Sequence, residues 1–329
     1  MQGQQMPPVP QTAQTSRRRR RWWLWGCGAA GCLGMVVIAL LLAGTVAVIS
    51  EGGGLEGLGD RIALVRVEGV ITGASQGFMG GAASAERLVM VLRRVARDRS
   101  VKAVVLRVDS PGGSAAASQE IRDEILRVKE AGKKVVVSMG DVAASGGYYV
   151  SCAADRIIAS PGTLTGSIGV IWAQPEFSEL FKKIGWREQV VKSGPHKDMG
   201  SIARPFTPEE KQIVQALIDD IYDQFVTAVA EGRRGKLTRE QVRRLADGRV
   251  YTGRQALKLK LVDDLGNLRY AIRSAASMAH LRGEVPVVEY GRLGFFEALF
   301  GGLSEARMPF RPGGLFYSPL AESLARRLR

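Results

Sequence analysis

The chain has 329 residues, 46% of them hydrophobic, with a formal net charge of +14, a content that supports one or two domains with a substantial core. Three cysteines are too few for a disulfide framework, and two histidines without a Cys-x-x-Cys or His-x-x-x-His pattern argue against a metal site. The positive balance is not a nucleic-acid signature, because five consecutive arginines carry part of it and the rest is interleaved with acidic residues along helices, as in 120–130.

Residues 1–16 are rich in Gln and Pro, lack charged side chains, and read as a disordered tail that ends in the basic block 17–21. From 22 to 50 no residue is charged, a length that crosses a bilayer core. A transmembrane helix is expected there, with Trp22, Trp23 and Trp25 at the headgroup level, the basic tail 1–21 in the cytoplasm and the remainder outside it. A cleaved signal peptide is the competitor; its apolar stretch would be about 7 to 15 residues, although Gly44 and Thr45 offer a processing site. Residues 51–60, with five glycines, read as a flexible linker off the membrane.

Past the linker, strand-like and helix-like segments alternate. Strands are expected over 62–67, 101–108, 134–139 and 156–159, and helices over 84–98 and 114–131, with a short one from Ser145. This interval argues for an α/β domain with a parallel sheet and helices packed outside it. In such sheets function gathers in loops after the carboxyl ends of strands. Two loops qualify: one follows Val108 and the other holds Ser145. Further on, Thr207-Pro208-Glu209-Glu210 is a capping box before a helix to about 231, and Thr238 with Gln241 repeats the arrangement. A final strand is expected within 284–290, closing a folded domain of 61–290. The tail 291–329 is glycine-rich and aromatic; a docked tail, an interfacial segment and a disordered end all fit it. Arg326, Arg327 and Arg329 permit contact with anionic headgroups.

The most informative residues are Ala144-Ser145-Gly146-Gly147-Tyr148, where a serine between small residues follows a strand. Such a serine can sit at a strand-to-helix turn with its hydroxyl exposed and backbone N–H groups free for an oxyanion. Its proton needs an acceptor. His280 reads as structural, on a late helical face, whereas Lys192, His196 and Lys197 share a loop and stay open as candidates. A lysine acts as base only when desolvation lowers its pKa by about 3 units, roughly 4 kcal/mol. The N–H of Gly146 is one oxyanion donor, and Pro111-Gly112-Gly113 offers a second. In Thr165-Gly166-Ser167-Ile168-Gly169, Ser167 can orient a neutral amine.

These motifs, with Lys192-Ser193-Gly194 through Lys197-Asp198 and Asp247-Gly248-Arg249-Val250-Tyr251-Thr252-Gly253, resemble the signal peptide peptidase A family, serine peptidases of the ClpP/crotonase fold. The resemblance covers about 61–278. It implies Ser145 as nucleophile, Lys197 as general base, Ser167 as support of the lysine, and Gly113 and Gly146 as oxyanion donors. It also implies a short, single-copy member whose serine and lysine meet between neighbouring subunits of a closed ring. One departure stands out: the stretch 201–205 lacks the serine-proline pair that the family pattern places after this lysine.

The expected activity is that of a membrane-anchored serine endopeptidase cutting hydrophobic peptides such as remnant signal peptides, without cofactor, metal or nucleic acid. The rival of the same fold is an acyl-CoA hydratase or isomerase using carboxylates, for which Glu120 and Glu124 are the candidates; they read more simply as a solvated helix face. A catalytically silent membrane scaffold is the rival from another class.

Overall fold

The computed structural model describes residues 59–73 and 82–291. The chain begins with β1 (Arg61–Glu68), β2 (Val70–Thr72) and β3 (Ala82–Ser84), then α1 (Ala85–Arg97), β4 (Val101–Ser110), α2 (Ala115–Glu130), β5 (Lys134–Ala144) and α3 (Gly146–Ser151). It continues through β6 (Arg156–Ala159), β7 (Leu164–Gly166), α4 (Ser178–Lys183), α5 (Pro208–Gly232), α6 (Arg239–Leu245), β8 (Val250–Thr252), α7 (Gly253–Lys258), β9 (Asp264–Leu265), α8 (Leu268–Met278) and β10 (Val287–Tyr290).

The main sheet runs β10-β1-β4-β5-β6-β9, every neighbour parallel. Alternation explains its burial on both faces: Ala63, Val65 and Val67 join one core with α1, α2 and α3, while Ile62 and Leu64 join the other beneath α8. The α/β arrangement read from the periodicity is therefore the observed one.

Helix ends follow the side chains that cap them. Ser84, Ser114 and Asn267 each accept an N–H from the first turn of α1, α2 and α8. The capping boxes of Thr207 with Glu210 and Thr238 with Gln241 are both closed, and Thr252 with Gln255 forms a third.

Three expectations need correction. The strand expected to stop at Met139 runs on to Ala144, because β5 exchanges partners: Val136–Ser138 pair β6, and Val142–Ala144 pair β7. Its register against β4 shifts between Val108 and Ser110, where the Asp109 carboxylate accepts the Val142 N–H at 3.0 Å. His280 is not on a helical face; it lies beyond the end of α8 with φ 56°, exposed, and its N–H closes the helix on Ser277 O. Glu124 is not solvated either. It is buried under Arg93 and Arg127, with N–O distances of 3.1 and 2.9 Å, while Glu120 is exposed.

Among the described residues no helix is long and apolar enough to cross a membrane. The expected tail 1–21, span 22–50, all but the last two residues of the linker 51–60, and the tail past Gly291 lie outside the described residues.

A buried ion pair anchors the end of α5 to β6 and β9. Arg233, 2% exposed, donates to Asp263 Oδ1 at 2.6 Å and Oδ2 at 3.1 Å and to Lys260 O at 2.9 Å, while Asp263 also accepts the Ile157 N–H and pairs with Lys236. Burial pushes the Asp263 carboxyl up, but the Arg233 and Lys236 hydrogen bonds outweigh it and hold the pKa at about 2. A depressed pKa contributes stability above the ordinary carboxylate range that fades as pH falls from about 4 toward 2. Arg233→Ala leaves that carboxylate buried and is expected to cost about 3–5 kcal/mol, read as a lower urea midpoint at unchanged slope. A loss below about 1 kcal/mol would show the pair to be dispensable.

Candidate active site

Ser145 occupies the turn between β5 and α3 with φ 52° and ψ −122°, a conformation that costs a residue with a Cβ about 1–3 kcal/mol. Neighbours impose it. Its N–H donates to Gly166 O at 2.9 Å, extending the pairing of Ala144 with Gly166, and its C=O accepts the Tyr149 N–H at 2.9 Å. The following helix is fixed by Tyr148, fully buried with its hydroxyl on Leu261 O at 2.8 Å, and by Tyr149 packed edge-on against Phe225. The serine hydroxyl makes no capping bond and lines a cavity of about 600 Å³.

The loop after β4 is drawn to the same place. Ser110 Oγ accepts the Gly112 N–H at 3.1 Å, Gly112 O accepts the Ile71 N–H at 2.9 Å, and Ser114 N–H donates back to Ile71 O at 2.9 Å. This bridge to β2 turns the intervening Gly113 N–H away from that strand. A Cβ on Gly112 would lie 2.6 Å from Gly146 N and 2.8 Å from Ser145 Cβ, and one on Gly146 would lie 3.4 Å from Gly113 N. The amides of Gly113 and Gly146 therefore border one small space beside the serine, and neither has a hydrogen-bond partner among the described residues. Two such donors suit an oxygen that gains negative charge.

Ser167 follows Gly166 on the strand paired with β5, so the two serines continue neighbouring strand ends in register. Its φ is 51°, and its N–H donates to Arg249 O at 2.9 Å, which ties it to the segment leading into β8.

Lys197 is placed elsewhere. It is exposed, it does not line the cavity of its own chain's Ser145, and its amine has no partner among the described residues. The other two candidates are engaged: Lys192 Nζ lies 2.6 Å from Asp198 Oδ1 and 2.9 Å from Pro195 O, and His196 Nε2 lies 3.5 Å from Glu209. Within one chain the structure thus gathers Ser145, Ser167, Gly113 and Gly146, and leaves Lys197 apart. Cys152, buried at the end of α3, is no rival nucleophile, since burial pushes its thiol up to about 12.

The cavity wall was not foreseen in the sequence. Ile221, Gln224 and Phe225 of α5 line it together with Ala115 and Ala116 of α2 and with Ile171. The spacing of Ile221, Phe225 and Val229 marks one helical face, but nothing in the sequence says which site that face covers. Tyr149 and Gln119 also line it, their side chains hydrogen-bonded to each other.

Residues 127–282 match the family model described as peptidase family S49. A Synechocystis sp. protein that bears the name of a protease is 42% identical over 221 residues, covering 67% of this chain and 75% of its own length. Protease 4 of Haemophilus influenzae is 40% identical over 232 residues, 70% of this chain, and the chloroplastic serine protease SPPA of Arabidopsis thaliana is 37% identical over 244 residues, 73% of this chain. The chain spans only 37% and 36% of the length of those two longer relatives. Among solved structures, a membrane-bound stomatin-specific protease aligns over 70% of this chain and 97% of its own, with 15% identity and a TM-score of 0.43. ClpP1 from Listeria monocytogenes aligns over 64% of this chain and 94% of its own, with 18% identity and a TM-score of 0.42.

Proposed function

The chain belongs to peptidase family S49, the signal peptide peptidase A family, and from that membership we propose that it is a membrane-anchored serine endopeptidase in which Ser145 is the nucleophile and Lys197 of a neighbouring subunit the general base. The observation that carries the reading is the serine held at positive φ beside two unpartnered amides. Ser145 Oγ attacks the scissile carbonyl carbon while the neutral Lys197 amine takes its proton, and the resulting oxyanion accepts from Gly113 and Gly146 N–H. Collapse breaks the C–N bond, Lys197 gives the proton to the leaving amine, and an ester on Ser145 remains. Water then attacks that ester, Lys197 again takes the proton, and return of the proton to Oγ releases the carboxyl product. Ser167 orients the amine.

A ring of subunits is favoured by two features of the segment after β7. Lys197 has no place at its own chain's serine, and a lysine base requires removal from water, which a neighbouring subunit would supply. The same segment exposes large apolar side chains, Ile171 by 88%, Ile184 by 65% and Val191 fully, with Trp172 and Trp186 about half exposed. A contiguous chain segment of that character suits burial against another copy. The substrate reading, hydrophobic peptides such as remnant signal peptides, rests on the family and on the apolar wall of Ala115, Ala116, Ile221 and Phe225. The anchor rests on the uncharged stretch 22–50, and the arginine block 17–21 before it supports an orientation with the peptidase domain outside the cytoplasm near the membrane surface.

The hydratase reading loses its carboxylates: Glu120 and Glu124 do not line the cavity, and Glu124 is engaged by two arginines. A fluorophosphonate probe is expected to label the parent protein and Glu124→Ala, corrected for folded fraction, and to leave Ser145→Ala unlabelled. Labelling that survives Ser145→Ala would overturn the assignment of the nucleophile.

A further inference from the structure

The stretch 201–205 is where the sequence departs from the family pattern, and there the structure holds an arginine between two carboxylates. Arg204 Nε donates to Asp198 Oδ2 at 3.1 Å and Nη2 to Asp198 Oδ1 at 2.8 Å. On its other side Nη1 donates to Glu210 Oε2 at 2.8 Å and Nη2 to Glu210 Oε1 at 2.6 Å. Neither acid is a loose surface group. Glu210 is 1% exposed, sits in the first turn of α5, and closes the capping box with Thr207 through bonds of 2.9 and 3.1 Å. Asp198 is the residue after Lys197 and also receives Lys192.

From Val191 to Thr207 the chain has neither helix nor strand; single turns such as Met199 N–H to His196 O and Ser201 N–H to Asp198 O shape it. One backbone bond, Phe177 N–H to Ile202 O at 2.8 Å, ties it to the residue before α4, so the side chain of Arg204 supplies its link to α5. A planar guanidinium meets two carboxylates edge-on at once, which a point-charged ammonium cannot do. The hydrogen bonds of Arg204 and Lys192 hold the Asp198 carboxyl well below the usual range, and Arg204 with the Thr207 N–H holds Glu210 at about 2, so both partners are ionised wherever the enzyme would work.

We propose that Arg204 is the positioning residue of the general base: it fastens the loop that presents Lys197 to the amino end of α5. The proposal deepens the reading of Lys197 as base and rests on it. It also gives α5 two duties, since the same helix lines the serine's cavity farther along, at Ile221, Gln224 and Phe225. The wall of one chain's cavity and the loop that offers its amine to the next chain's serine thus hang on one helix.

The test uses the full chain, an apolar fluorogenic peptide, and the variants Lys197→Ala, Arg204→Ala, Arg204→Lys and Asp198→Asn. Arg204→Ala is expected to lower kcat by about tenfold to a hundredfold with KM within about twofold. Arg204→Lys regains part of the loss by holding one carboxylate. Arg204→Ala with the parent's kcat overturns the proposal while an inactive Lys197→Ala leaves the base intact. An active Lys197→Ala overturns both. If Arg204→Ala does not fold, Asp198→Asn decides, since it frees the loop but keeps Arg204 on Glu210: folded protein with reduced kcat upholds the fastening, and folded protein with the parent's kcat refutes it.

Discussion

Rings assembled from equal amounts of Ser145→Ala and Lys197→Ala chains are expected to recover about a quarter of the parental activity, although each variant alone is inactive by about 10⁴-fold or more. The fraction follows from counting. A productive junction needs an intact lysine from one chain, present only in the Ser145→Ala variant, and an intact serine from the next, present only in the Lys197→Ala variant. Random mixing gives each with probability one half. The structural ground is that Lys197 is exposed and absent from the cavity of its own serine, while the amides of Gly113 and Gly146 and the serine itself come from one chain. Subunits must be mixed unfolded or before assembly, and exchange verified by native mass spectrometry. Mixed rings without activity would place both groups in one chain, and the peptide-cutting reading would then need a different route for Lys197.

Gly112→Ala is expected to reduce kcat/KM by about a hundredfold or more, in the range found when an oxyanion donor is lost. The new methyl carbon would lie 2.6 Å from Gly146 N, 2.8 Å from Ser145 Cβ and 3.0 Å from Ala144 O, inside the space that the proposed mechanism reserves for the developing negative oxygen. Because φ at Gly112 is 97°, part of any effect would be backbone strain felt as lower stability. Gly132→Ala is the control that separates the two. Its φ is 82°, nothing lies within 4 Å of the added carbon, and it sits in the turn between α2 and β5, far along the strand from the serine. It is expected to cost about 1 kcal/mol of stability with unchanged turnover. Equal losses of activity in the two variants would remove the claim that crowding at the amides matters.

Much of the framework was legible because it obeys local rules. The continuous apolar run of β1 places Ile62 and Leu64 on one face and Ala63 and Val65 on the other, and the capping boxes at Thr207 and Thr238 mark helix starts within a residue. The serine and the two glycine loops were legible because a strand followed by small residues leaves few backbone choices. What escaped depended on pairing over long distances. The extension of β5 to Ala144 requires β7 as a second partner, which no pattern within 134–144 announces. Glu124 looks like any helical surface acid until Arg93, from another helix, closes over it. Arg204 carries no signal of its own, since its meaning lies in Asp198 and Glu210 on either side of it. Lys197 stands exposed and apart from the cavity of its own chain's Ser145, a placement that no local pattern within 192–198 announces.

The left-handed turn at Ser145 has a kinetic side as well. Its amide is pinned to Gly166 and its carbonyl to Tyr149, and these two bonds set the heading of the bond from Cα to Cβ before any peptide arrives. Strain of this kind, once built in at folding, is not regenerated in each cycle. When a product departs, nothing in the backbone has to be rearmed; the chain meets its next peptide in the same stance in which it released the last.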